Sequence, residues 1–96
     1  MPSAKDLAAM GMAESLVRNG DPDRAERAMR SIQDEDFREH GLTCLVRDIA
    51  TASVRVDDRR YAKRLLKMAR RIAESIDTPW RREEAMAHVD TANEVR

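Results

Sequence analysis

A nine-residue phrase occurs twice in this chain, and the repetition limits the folds that the sequence can adopt. The first copy is SIQDEDFRE at residues 31–39, and the second is SIDTPWRRE at residues 75–83. In both copies Ser-Ile closes a helix-like stretch, and an acidic turn-forming cluster, one large aromatic residue and arginine then lead into a new helical pattern. Similarity at a period of a few tens of residues is typical of stacked helical repeats. The phrase therefore predicts an all-α fold of antiparallel helical hairpins stacked as a short α-solenoid.

Capping residues and apolar spacing predict about five helices. Ser3 is a good N-cap for the first helix, and Asn19-Gly20 can end that helix in the left-handed conformation. Asp21-Pro22 then starts the second helix. The predicted ranges are about 3–18, 22–33, 36–54, 59–76 and 79–95. We divide the single domain, 1–96, into units of about 4–35 and 36–76 and a capping helix at 79–95. Phe37 and Trp80 are interpreted as packing anchors where consecutive hairpins meet.

Residues 19–28, NGDPDRAERA, resemble the middle turn of a tetratricopeptide repeat. The resemblance places Ala13 and Ala25 at the small crossing positions of that family. A second unit follows 37 residues on, with Ala50, Asp58 and Ala62 as the matching residues. The repeated phrase is similar to divergent bacterial arrays of this type. The chain departs from the pattern in having no tryptophan in its first helix and a fourth helix about two turns longer.

The resemblance implies a binding surface, because the first helix of each tetratricopeptide-like hairpin lines a concave groove. The implied partner-binding residues are Met10, Glu14, Val17 and Arg18 in the first unit and Cys44, Arg47, Asp48, Thr51 and Arg55 in the second. We expect the partner to be an acidic amphipathic helix or a second copy of the chain. The implied function is non-enzymatic protein–protein interaction, as a small adaptor, an inhibitor or immunity-type protein, or a piece of a longer array.

The alternative is a nucleic-acid-associated factor that uses the basic fourth helix. Seven residues of that helix form one cationic arc: Arg59, Arg60, Lys63, Arg64, Lys67, Arg70 and Arg71. Such a ridge can lie along phosphates. However, no aromatic residues are interleaved for base stacking, and the formal net charge is +0. Acidic residues at 57, 58, 74 and 77 also bracket the arc and are placed to pair with it, so a solvated face is the favoured interpretation.

Asp36, His40 and Cys44 lie one helical turn apart on the third helix. They form the one stripe whose residue types suggest a metal site or a Cys–His pair with an orienting acid. They are interpreted as a helix-start carboxylate, an edge histidine and a small buried hydrophobe, because a metal site needs ligands from elsewhere in the chain. No phosphate-binding loop, nucleophile elbow or zinc-protease motif occurs. We therefore expect no enzyme activity, no metal and no cofactor.

The remaining expectations concern association and location. Met10 and Met12 lie on a first helix that is apolar around much of its circumference, which favours self-association or a partner helix. Cys44 is the only cysteine, so no internal disulfide can form. We expect no signal peptide, and because no apolar run of about 18 residues occurs we expect a cytoplasmic protein without a membrane segment.

Overall fold

The structure is a computed structural model that describes residues 1–95. This part of the chain contains five α-helices and no strand, which confirms the all-α prediction. The helices are α1 (Ala4–Arg18), α2 (Pro22–Arg30), α3 (Glu35–Arg55), α4 (Arg59–Glu74) and α5 (Pro79–Val95). The predicted starts agree with these bounds to within a residue or two. The second and fourth helices end two or three residues before their predicted ends.

The helix starts follow from the capping residues. The side chain of Ser3 accepts a hydrogen bond from the backbone N–H of Asp6 at 3.1 Å, which caps α1. Asp21, Asp34 and Asp58 cap α2, α3 and α4 in the same way. Gly20 has a φ of 78°, the left-handed conformation that the predicted stop after α1 requires. Local sequence therefore determines where these four helices begin.

The early ends of α2 and α4 have one cause. The hydroxyl of Ser31 donates to the carbonyl oxygen of Ala28 at 2.7 Å, and the hydroxyl of Ser75 donates to that of Ile72 at 2.6 Å. The backbone N–H groups that follow also bond three residues back, which tightens the last turn. The Ser-Ile of each repeated phrase therefore lies just past its helix, and its isoleucine is buried.

The core lies along α3, which packs against all four other helices. α1 pairs with α2, α3 pairs with α4, and α5 packs on both α3 and α4. Alanines are buried where helices cross, and branched side chains and Met29 fill the space between them. Small residues allow helices to approach closely, so a chain with only three aromatic residues still builds a continuous core.

The expectation that Trp80 is a buried anchor is wrong. Its side chain is 61% exposed, whereas Phe37 packs partly buried against the core. The two aromatics hold neighbouring rather than equivalent positions, because Phe37 is the third residue of α3 and Trp80 is the second of α5. One residue rotates a side chain by about 100° around a helix. Arg81 holds the third position of α5 instead.

Candidate protein-binding groove

Two buried carboxylates hold the hairpins together and thereby position the groove. Asp6 of α1 accepts hydrogen bonds from the backbone N–H groups of Gln33 at 2.9 Å and Asp34 at 3.0 Å. Glu39 of α3 accepts bonds from the N–H groups of Asp77 at 3.2 Å and Thr78 at 3.3 Å, and from the Thr78 hydroxyl. Each first helix therefore binds the loop that leads into the next first helix.

These bonds favour the ionised carboxylates. The N–H of Gln33 is the main cause that lowers the pKa of Asp6, and the Thr78 hydroxyl is the main cause that lowers the pKa of Glu39. An arginine completes each junction: Arg38 donates to the carbonyl oxygen of Ile32 at 2.9 Å, and Arg82 to that of Ile76 at 3.0 Å. Sequence reasoning missed both carboxylates. Arg38 and Arg82 lie at the same distance in sequence from the Ser-Ile of their copies of the repeated phrase. This equal spacing was the sequence feature that could have indicated the two junctions.

All nine predicted partner-binding residues line one open groove. Its cavity volume is about 800 Å³, and it lies where α1 and α3 face each other. The nine are Met10, Glu14, Val17 and Arg18 on α1 and Cys44, Arg47, Asp48, Thr51 and Arg55 on α3. Side chains that are far apart in sequence therefore form one continuous surface.

The floor of the groove is apolar and depends on a glycine. Met29 and Leu45 are buried there, and Met10 and Phe37 are partly buried. A Cβ atom at Gly41 would lie 2.6 Å from the Met29 sulfur and 2.8 Å from the Met10 methyl carbon. The missing side chain lets the two methionine ends rest against α3. Methionine ends are flexible and polarisable, so this floor can adapt to an apolar side chain from a partner.

The rim of the groove carries charge of both signs. Arg47 Nε lies 3.3 Å from Asp48 Oδ1, an exposed pair in which each side chain remains largely open to solvent. Arg18 and Arg55 form no ion pair with any residue in 1–95. Both can therefore donate to carboxylates of another molecule without breaking an internal contact.

The basic ridge of α4 lies on another surface of the molecule, and only one of its seven cations is paired within residues 1–95. Arg71 donates two hydrogen bonds to Glu26 of α2, at 2.7 and 3.0 Å. This pairing is the main cause that lowers the pKa of Glu26 and raises that of Arg71. The remaining six cations are Arg59, Arg60, Lys63, Arg64, Lys67 and Arg70.

The expected pairing of the ridge with neighbouring acids does not occur within that described range. Asp58 instead caps α4, accepting the N–H of Tyr61 at 3.1 Å. Asp57, Glu74 and Asp77 lie within 4 Å of no cationic group of the ridge. Length explains the openness, because α4 has 16 residues and α2 has 9, so the start of α4 extends past its neighbour.

The outer face of α1 is open, as its composition predicted. Met12 is 61% exposed and Leu7 is 57% exposed, whereas Met10 turns toward the groove. The sequence analysis named Met12 for this face but not Leu7.

The Asp36, His40 and Cys44 stripe does not assemble a nucleophile. Asp36 binds Arg81 at 2.7 Å instead of turning to His40. Cys44 Sγ lies 3.8 Å from His40 Nε2, and burial raises the pKa of the Cys44 thiol, which disfavours the reactive thiolate. Glu35, Glu39 and Asp77 also approach one another, but the oxygens of Glu39 are already occupied by the loop of the second junction.

Comparison of this chain with models of protein families, with curated proteins and with solved structures finds no match. The described helices include none that is long and apolar enough to cross a membrane.

Proposed function

We propose that the chain is a non-enzymatic protein-binding module whose groove between α1 and α3 takes an acidic amphipathic helix. The observation that carries this proposal is the convergence of nine residues from two helices on one groove with an apolar floor and a rim of arginines. A helix with apolar residues along one stripe would place them against Met10 and Val17. Carboxylates beside that stripe would meet Arg18 and Arg55.

The proposal includes a stacked-hairpin architecture of tetratricopeptide-like type. Its support is that a carboxylate of a first helix accepts hydrogen bonds from the loop before the next first helix twice, at Asp6 and at Glu39. Small residues also lie at the positions that the resemblance requires, since Ala13, Ala25 and Ala62 are all buried. An adaptor, an inhibitor and an immunity-type protein would each use these stacked hairpins to present the groove to a partner protein.

The test is selective loss of partner binding. Proteins retained by the wild-type chain in extracts of its native host would be identified, and the strongest candidate would be measured as a purified partner. Arg47→Glu with Arg55→Glu reverses charge on the groove rim and is expected to weaken that complex at least tenfold, about 1.4 kcal/mol. Arg59→Glu with Arg60→Glu makes the same change in net charge on the ridge and serves as the matched control. Equal binding by both double variants would show that the groove is the wrong surface.

A second candidate function is nucleic-acid association through the ridge, and its support is the set of six cations without internal partners. The test is retention on DNA or RNA at about 50 mM salt that falls steeply by about 200 mM. Replacing Arg60, Lys63, Arg64 and Lys67 with glutamine would abolish that retention. No retention of the wild-type chain at about 50 mM salt would exclude this candidate.

A further inference from the structure

The outer side of α5 carries four exposed carboxylates. Glu83, Glu84, Asp90 and Glu94 lie within an arc of about 120° around the helix, at 100° per residue. Within residues 1–95, none of the four lies within 4 Å of a cationic group. These four residues form the acidic face, whose charge the described chain does not neutralise.

The two arginines of α5 are engaged elsewhere. Arg81 lies 2.7 Å from Asp36 and 3.4 Å from Glu39. Arg82 donates to the carbonyl oxygen of Ile76 at 3.0 Å. Both side chains therefore turn toward the second junction, and the acidic face keeps its negative charge.

An exposed aromatic residue accompanies the acidic face. Trp80 is the second residue of α5, falls within the same arc of the helix and is 61% exposed. Tryptophan is enriched where proteins meet, because it adds a large apolar area to a polar surface. The outer side of α5 therefore offers both charge and one apolar anchor to another molecule.

The ridge of α4 is the complement of the acidic face in charge and in length. Its six unpaired cations extend from Arg59 to Arg70, and the acidic face extends from Glu83 to Glu94. Each array covers eleven residue steps, or about 16 Å of helix. Two helices laid side by side can therefore bring opposite charges together along their whole charged length.

The groove does not fit the same helix. The apolar side of α5 is already used within its own chain, since Ala85, Val89 and Ala92 are buried. An intact α5 can therefore present carboxylates but no apolar stripe, which suits the ridge and not the apolar floor of the groove. Because every copy of the chain carries both the ridge and the acidic face, a second copy supplies the complement of each.

We propose that copies of this chain associate through the acidic face of α5 on one copy and the ridge of α4 on the other. The contact is dominated by charge and leaves the groove of each copy open to a different partner. Such an association is expected to be weak and sensitive to salt, because exposed charges are screened within about 3 Å at 1 M ionic strength.

The experiment is sedimentation velocity of the full chain after removal of nucleic acid. At about 50 mM salt, the mass should rise above the 11.0 kDa of one chain as the concentration is raised from about 1 μM to about 1 mM. At about 1 M salt the chain should remain monomeric. A wild-type chain that stays monomeric over the whole range at low salt would overturn the proposal, even if its ridge retains nucleic acid.

A charge exchange between two double variants locates the contact. Lys63→Glu with Lys67→Glu places acids on the ridge, and Asp90→Lys with Glu94→Lys places cations on the acidic face. Each variant alone should associate at least about tenfold more weakly than the wild type, because like charges then meet. An equimolar mixture of the two should regain association, because opposite charges meet again at both contacts.

The matched control is Arg18→Glu with Arg55→Glu on the groove rim, which changes net charge as much as the ridge variant does. It should associate like the wild type. Circular dichroism would verify that all three double variants keep their helices. Equal weakening by the control and the ridge variant would contradict the proposal, and so would a mixture of the ridge and α5 variants that stays monomeric.

Discussion

At both junctions between hairpins a carboxylate of a first helix accepts hydrogen bonds from a loop, but the residue that packs beside that carboxylate differs. At the first junction, Asp6 binds two backbone N–H groups, and the third residue of α3, Phe37, packs against the core. At the second junction, Glu39 binds two N–H groups and a hydroxyl, and the third residue of α5 is Arg81. That arginine bridges Glu39 and Asp36.

The comparison shows that the same hydrogen-bonding arrangement of a loop can be supported by two different kinds of contact. A loop whose N–H groups have no partner within a helix needs an acceptor, and a carboxylate from the preceding first helix provides it at both places. Apolar packing supports the acceptor at the first junction, whereas an ionic network supports it at the second. We therefore expect the second junction to be the more sensitive to loss of a single charge.

Removing Glu39 should have the largest effect. Glu39→Ala leaves two loop N–H groups and the Thr78 hydroxyl without their acceptor, and it removes one of the two carboxylates that pair with the mostly buried Arg81. We expect a loss of about 3 kcal/mol in the free energy of unfolding. Urea unfolding followed by circular dichroism measures it. Asp6→Ala, which removes no contact to an arginine, should cost less; the reverse order would contradict the difference between the junctions.

Removing Phe37 tests the apolar side of the comparison. Phe37→Ala should lower the free energy of unfolding by about 2–3 kcal/mol, below the range for a fully buried phenylalanine because the ring is only partly covered. The loss should be insensitive to salt, unlike that of Arg81→Met, which removes an ionic contact. Thermal unfolding at low and high salt distinguishes the two. Equal salt dependence in both variants would show that the junctions are held in the same way.

Acid should weaken both junctions over a defined range. The pKa values of Asp6 and Glu39 are lowered from ordinary values of 3.8 and 4.5, so the folded state holds their protons less tightly than the unfolded chain. The stabilisation is fully present above those ordinary values and is lost as pH falls through the lower folded values. Glu39→Gln should therefore differ most from the wild type near pH 6 and converge with it in acid. A difference that stays constant down to pH 2 would contradict this assignment.

Removing Trp80 should have the smallest effect. The ring is 61% exposed and stacks with Arg81, whose Cζ lies 4.8 Å from the ring centroid. We expect Trp80→Ala to change the free energy of unfolding by less than about 1 kcal/mol. A loss above about 3 kcal/mol, as for a core tryptophan, would restore the equivalence of Phe37 and Trp80 that the sequence suggested.

Helix starts and the inward face of each helix could be predicted because their causes are local, whereas the groove lining was implied only by the tetratricopeptide resemblance. A capping aspartate acts within three residues, and apolar spacing places side chains on one face of one helix. The junctions could not be predicted, because Asp6 and Glu39 look like ordinary acidic residues near the start of a helix until the distant loops are placed beside them. The prediction that Trp80 is buried was wrong for a related reason. A one-residue shift within the repeated phrase is invisible when the copies are aligned by residue type.

The unequal lengths of the two hairpins have an evolutionary consequence. Corresponding residues are 33 apart at the junction carboxylates (Asp6 and Glu39), 37 apart at the hairpin caps (Asp21 and Asp58) and 44 apart at the bound loops (Gln33 and Asp77). The increments of four and seven residues are close to one and two helical turns, so each lengthened helix keeps the same face inward. Insertions of one or two residues within these helices would instead turn charged side chains into the core. A lineage of such proteins can therefore grow or shorten its hairpins only in steps of a whole turn.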